Sequence, residues 1–195
     1  MKKIATVFVS VLSVMVLFAV TNVSAGGAEY IGGKKCKACH MKQYKAWEAT
    51  SMATSFDNLK AGVKVAEKKA AGLEDKDYTH DVKCLKCHTT GYGKPGGFTS
   101  IEATPDMANV QCEGCHGPGS VYKDQMKEVQ KTKSYITADM KAKGLTIPSE
   151  DQAGCLTCHG GDSPFNEKVN AKYKFNFKEK LGKTHEHIPL KYKKD

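Results

Sequence analysis

The chain has 195 residues, a formal charge of +9 and 30 basic residues, every one of them lysine. This composition argues against nucleic acid as a partner, because planar bidentate reading of phosphate and guanine relies on arginine. A lysine-rich surface serves solubility, and it equally suits long-range steering toward acidic proteins.

In chain order, Met1-Lys2-Lys3, an apolar run from Ile4 to Val20 and the small-residue stretch Thr21-Asn22-Val23-Ser24-Ala25 predict a secretory signal over residues 1–25, cleaved after Ala25. The competing reading is an uncleaved membrane anchor, since the apolar run approaches the length of a bilayer span. No later stretch reads as a membrane span, and no cysteine follows the cleavage site to carry a lipid. Residues 26–195 read as one domain. Met41 to Phe56 lacks Pro and Gly and predicts a helix, and Val63 to Ala71 predicts a second, ended by Gly72. Gly91 to Gly97, with Pro95, reads as a loop. Ser120 to Lys143 predicts an interrupted helix closed by Gly144 and Pro148. From Tyr173 to His187, residues Phe177, Leu181, His185 and Ile188 recur at helical spacing, broken by Gly182. The fold class expected is mainly α, with little or no β-sheet.

All eight cysteines fall in four frames of one kind: Cys36-Lys37-Ala38-Cys39-His40, Cys84-Leu85-Lys86-Cys87-His88, Cys112-Glu113-Gly114-Cys115-His116 and Cys155-Leu156-Thr157-Cys158-His159. Structural zinc and disulfides both use paired cysteines, but neither requires a histidine after every second one. With 7 histidines in the chain, four such placements by chance come to roughly one in a million, so the frames predict covalent c-type haem. Both thiols of each frame then add to a porphyrin, and His40, His88, His116 and His159 bind iron from the proximal side. Four haems in a chain with only 40% hydrophobic residues predict a multihaem fold in which the porphyrins form much of the core and lie close together. Each ferric haem with ionised propionates adds about −1 and each ferrous haem about −2, so full reduction takes the mature protein from roughly +3 to roughly −1.

After the proximal ligands, only His80, His185 and His187 remain. Three histidines cannot complete four bis-histidine irons, so at least one iron carries another ligand or an open position. His185, on the apolar side of the last predicted helix, is the first candidate for a distal ligand, with His187 as its alternative. His80, four residues before Cys84, reads either as a ligand or as a surface loop residue. Met52 and Met126 are candidate thioether ligands, against the plainer reading of both as core fillers.

Beyond the frames, the stretch from Lys34-Lys35-Cys36 to Trp47, Lys76-Asp77-Tyr78-Thr79, Gly91-Tyr92-Gly93 with Gly96-Gly97, Cys112 to Gly119, Ala171-Lys172-Tyr173 with Phe175 and Phe177, and His185-Glu186-His187 resemble the cytochrome c-554 family. These are tetrahaem electron carriers known as acceptors for hydroxylamine oxidoreductase. The resemblance implies a mainly α fold with closely packed haem pairs. It also implies three bis-histidine irons and an open sixth position on the haem at Cys84, Cys87 and His88, where nitric oxide binds if His80 does not reach. Met52 and Met126 stand where the resemblance calls for distal histidines, which raises the case for methionine ligation.

The function expected is a periplasmic electron shuttle between a donor oxidoreductase and an acceptor cytochrome, monomeric or weakly oligomeric, with no stable membrane insertion once the signal is removed. One alternative is reduction of nitric oxide or a related nitrogen oxide at an open second haem. Another is a subunit of an extracellular haem wire.

Overall fold

The computed structural model describes residues 27–148, 152–160, 163–185 and 191–195. The signal expected over 1–25 and the candidate ligand His187 lie outside them. Among the described residues nine short α-helices and three 3-10 segments follow one another: α1 (Gly33–Lys37), α2 (Met41–Glu48), a 3-10 segment (Ser51–Leu59), α3 (Val65–Ala70), α4 (Val82–His88), a 3-10 turn (Pro105–Met107), α5 (Cys112–His116), α6 (Ser120–Thr132), α7 (Thr137–Lys141), α8 (Ala153–His159), a 3-10 turn (Ala171–Tyr173) and α9 (Phe177–Leu181). Among the described residues β-pairing is limited to two isolated bridges, Thr89 with Ala108 and Tyr135 with Lys193. The mainly α expectation holds.

Several helices are shorter than their sequence pattern suggests. The stretch expected as one helix from Met41 to Phe56 breaks after Glu48, where Thr50 turns extended and its hydroxyl donates to the Trp47 carbonyl oxygen at 2.7 Å. A threonine that bonds back to the chain competes with the helical ladder. The helix from Ser120 stops at Thr132 because Lys133 takes a left-handed backbone, φ 55°, and α7 forms only after the bridge at Tyr135. The C-terminal helix covers five residues, since Gly182 closes it, so His185 stands in a turn beyond the helix rather than on its face.

Helices of five to eight residues are not stable alone, so packing between segments holds them. One side-chain core joins Phe56 and Leu59 of the 3-10 segment, Leu85 of α4, Tyr78, Phe98, Met107 and Ala108. Phe56 and Phe98 meet at 5.6 Å in a tilted pair. The Gly91–Gly97 loop packs so closely that a Cβ on Gly96 or Gly97 would overlap the backbone of Tyr30 or Gly91, which explains glycine there. This core includes Leu85 of the second cysteine frame, and Cys84 packs against it.

Candidate haem sites

In each frame the two cysteines are three residues apart and the histidine follows the second. Within a helix that spacing puts the first cysteine, the second and the histidine on one face. α4, α5 and α8 each carry a whole frame. The first frame is split: Cys36 closes α1 and His40 caps the start of α2. Asp81 caps α4 by accepting from the Lys83 N–H at 2.8 Å, which fixes where the second frame begins.

The histidine rings are oriented by backbone carbonyls. His88 Nδ1 lies 2.5 Å from the Ser55 carbonyl oxygen and His116 Nδ1 lies 3.2 Å from that of Thr146. A carbonyl at Nδ1 holds the proton there and leaves the lone pair on Nε2, the arrangement a metal-binding histidine needs. Burial lowers the His40, His88 and His159 imidazoles below the ordinary histidine value, with His185 adding to this at His40 and Lys180 at His159. They are therefore neutral at neutral pH, the form that binds iron.

The four frames form a line whose order differs from the chain. The first meets the third: α1 packs on α5, and the Gly33 N–H donates to Gln111 Oε1 at 2.6 Å. The seam is closed by Glu113, buried inside the third frame, which accepts from the N–H groups of Ile31, Gly32 and Gly119 at 2.7–3.1 Å. Burial raises the Glu113 carboxyl above its ordinary value, and these donors oppose it. The second frame meets the fourth, with α4 on α8 and Cys87 Sγ 3.9 Å from the Thr157 carbonyl oxygen. The third meets the fourth as α5 packs on α8, with Cys155 and Cys158 close to the buried Cys115. The spatial order is first, third, fourth, second.

Beside the second frame is a cavity of about 1050 Å³, lined by Cys84, Cys87 and His88 on one side and by Ser163, Pro164 and Phe165 across it. It exceeds an ordinary small-ligand pocket and has cysteines, a neutral imidazole and apolar walls in one place. These residues fit a covalent haem.

The remaining candidates are dispersed. His80 is exposed, lies close enough to Asp77 and Glu102 to act on both carboxylates, and does not line the second-frame cavity. Met52 is half-buried; its carbonyl oxygen accepts from the N–H of Val110, two residues before Cys112. Met126 is half-buried on α6. The His185 ring stands 6.0 Å from that of His116, with 28° between their planes. The sequence reading passed over three features: the Ser55 and Thr146 carbonyls, which carry no side-chain signal; Phe175, stacked on His159 at 4.7 Å and 11°; and the buried Lys68.

The model of the family described as cytochrome c554 and c-prime matches residues 35–117. Cytochrome c-554 of Nitrosomonas europaea is 35% identical over 187 residues, covering 85% of this chain and 79% of that protein. The chain belongs to the cytochrome c554 family. Its fold agrees: the reduced-state structure of cytochrome c554 from Nitrosomonas europaea superposes with a TM-score of 0.78 at 33% identity, covering 87% of this chain and 91% of the other. As a cytochrome c, this protein binds haem iron and takes part in electron transport. No helix among the described residues is long and apolar enough to cross a membrane.

Proposed function

We propose that this cytochrome is exported to the periplasm and carries electrons between a donor oxidoreductase and an acceptor cytochrome, using four haem c groups on its four frames. The observation that carries this reading is the unbroken line of frames in contact, first to third to fourth to second. Haem c at each frame supplies a one-electron ferric/ferrous couple. The polypeptide supplies the thiols, the oriented neutral imidazoles and the close spacing that lets charge pass along the line.

His185 is the distal ligand best placed for the third frame. Two imidazoles bound to one metal through bonds of about 2 Å have ring centroids about 6 Å apart, and His116 and His185 stand at 6.0 Å. Met52, whose carbonyl oxygen accepts from the Val110 N–H two residues before Cys112, is the thioether candidate to test beside it. Substituting each in turn and following the low-spin spectrum of the third haem decides between them.

The test of the main reading is the intact mass and haem content of the purified holoprotein, followed by stopped-flow oxidation and reduction by c-type partners. Four haems per chain and rapid exchange in both directions are expected. Fewer than four haems would end the tetrahaem assignment. A second reading, binding or reduction of nitric oxide, is favoured by the second-frame cavity, where, among the described residues, His88 is the one lining histidine and no methionine joins it. A high-spin ferric electron paramagnetic resonance signal abolished by nitric oxide supports an open iron there. Four low-spin signals indifferent to nitric oxide remove it.

A further inference from the structure

Lysine side chains are seldom fully buried unless paired, yet Lys68 of α3 is 3% exposed. Its Nζ donates to the Lys60 carbonyl oxygen at 2.5 Å and lies 5.6 Å from the centre of the Tyr78 ring. The nearby carboxylate, Asp75, stands 3.7 Å away, too far for a direct hydrogen bond, and accepts instead from the Gly62 N–H at 2.9 Å. The carbonyl and the ring face satisfy the ammonium without cancelling its charge, which Asp75 offsets only in part across 3.7 Å. Lys68 lines the same cavity as Cys84, Cys87 and His88, shared with Glu67, Asp81 and Cys158 of the fourth frame, so a buried cation is held in the wall of the second site.

We propose that Lys68 is a fixed internal cation that raises the reduction potential of the second haem. The inference rests on reading Cys84, Cys87 and His88 as a haem site. A ferric centre carries one more positive charge than a ferrous one. A buried cation beside it therefore penalises the oxidised state, and weak screening inside the protein makes that penalty larger than any surface lysine imposes. The exposed lysines around the cavity mouth, Lys64, Lys83, Lys86 and Lys172, face water and contribute less. Asp75 works in the opposite sense and fixes the sign of a second variant.

The experiment is an optical redox titration of the holoprotein, wild type beside Lys68→Met, Lys68→Arg and Asp75→Asn, with haem content from intact mass. Fewer than four haems in the wild type overturns the haem-site reading beneath the proposal. With four haems present, Lys68→Met is expected to lower one midpoint potential and leave three in place, while Lys68→Arg keeps all four near wild type. Asp75→Asn is expected to shift the same component upward, and it tests the proposal independently if Lys68→Met does not fold. Unchanged potentials in a folded Lys68→Met with four haems overturn the proposal. A downward shift in Asp75→Asn does so too. A change of spin state in Lys68→Met also overturns it, by making Lys68 an iron ligand.

Discussion

The Glu113 carboxylate accepts from three backbone donors, on Ile31, Gly32 and Gly119, while itself buried. Removing it leaves those N–H groups without water or partner. Glu113→Ala is therefore expected to cost about 3 kcal/mol, from the penalty for buried unpaired donors, seen as a lower midpoint in thermal unfolding followed at the Soret band. Glu113→Gln keeps the shape but turns an NH2 group toward donors, so it also destabilises. At Asn109, φ is 71°, and the side chain Oδ1 accepts from the Phe56 N–H at 2.8 Å. Asn109→Ala loses that bond and strains the backbone, together about 2 kcal/mol. Asn109→Gly relieves the strain, and the two denaturant midpoints separate the parts. At this scale the four frames stand out in the sequence because their spacing is the one covalent haem attachment calls for. Glu113 and Lys68 were not, because burial of a charge is decided by segments far away in sequence.

Among the elements, the C-terminal segment is fastened to α7 by a short set of bonds. Both the Thr137 N–H and its hydroxyl donate to Asp195 Oδ1, at 3.0 and 2.9 Å, and the Tyr135 N–H donates to the Tyr192 carbonyl oxygen at 3.1 Å. These donors hold the Asp195 carboxyl below its ordinary value. A depressed acid stabilises the docked form above its unfolded pKa and loses that contribution as pH falls through the folded one. Cleavage near Lys191, Lys193 and Lys194 by a protease active in acid should rise as pH drops through the carboxylate range, and Asp195→Asn should remove the dependence. The sequence placed helices correctly at Met41 and Ser120 but overran their ends, and the stretch expected from Tyr173 to His187 is α-helical only over Phe177–Leu181. Thr50, Lys133 and Gly182 stop them through local backbone choices that side-chain periodicity does not record.

Over the whole molecule, the lysine surface and the redox-dependent charge combine. Association of the oxidised protein with an acidic c-type partner should slow about tenfold between low and physiological ionic strength, as steering is screened. The reduced protein, with less positive charge, should show a weaker dependence. Stopped-flow rates for both forms against salt concentration check this. The family fold was legible from the frames and the short stretches around them. The proposed distal ligands were not, because the candidate now favoured, His185, meets His116 only through the fold, from a segment far later in the chain.

The line of frames has one further implication, for how such a protein changes over generations. Its two termini, the first and second frames, are the earliest in the chain, while its middle, the third and fourth, comes last. Shortening the gene from its far end would not give a smaller carrier with two working centres. Loss of both the third and the fourth would leave two isolated terminals and an open circuit between them.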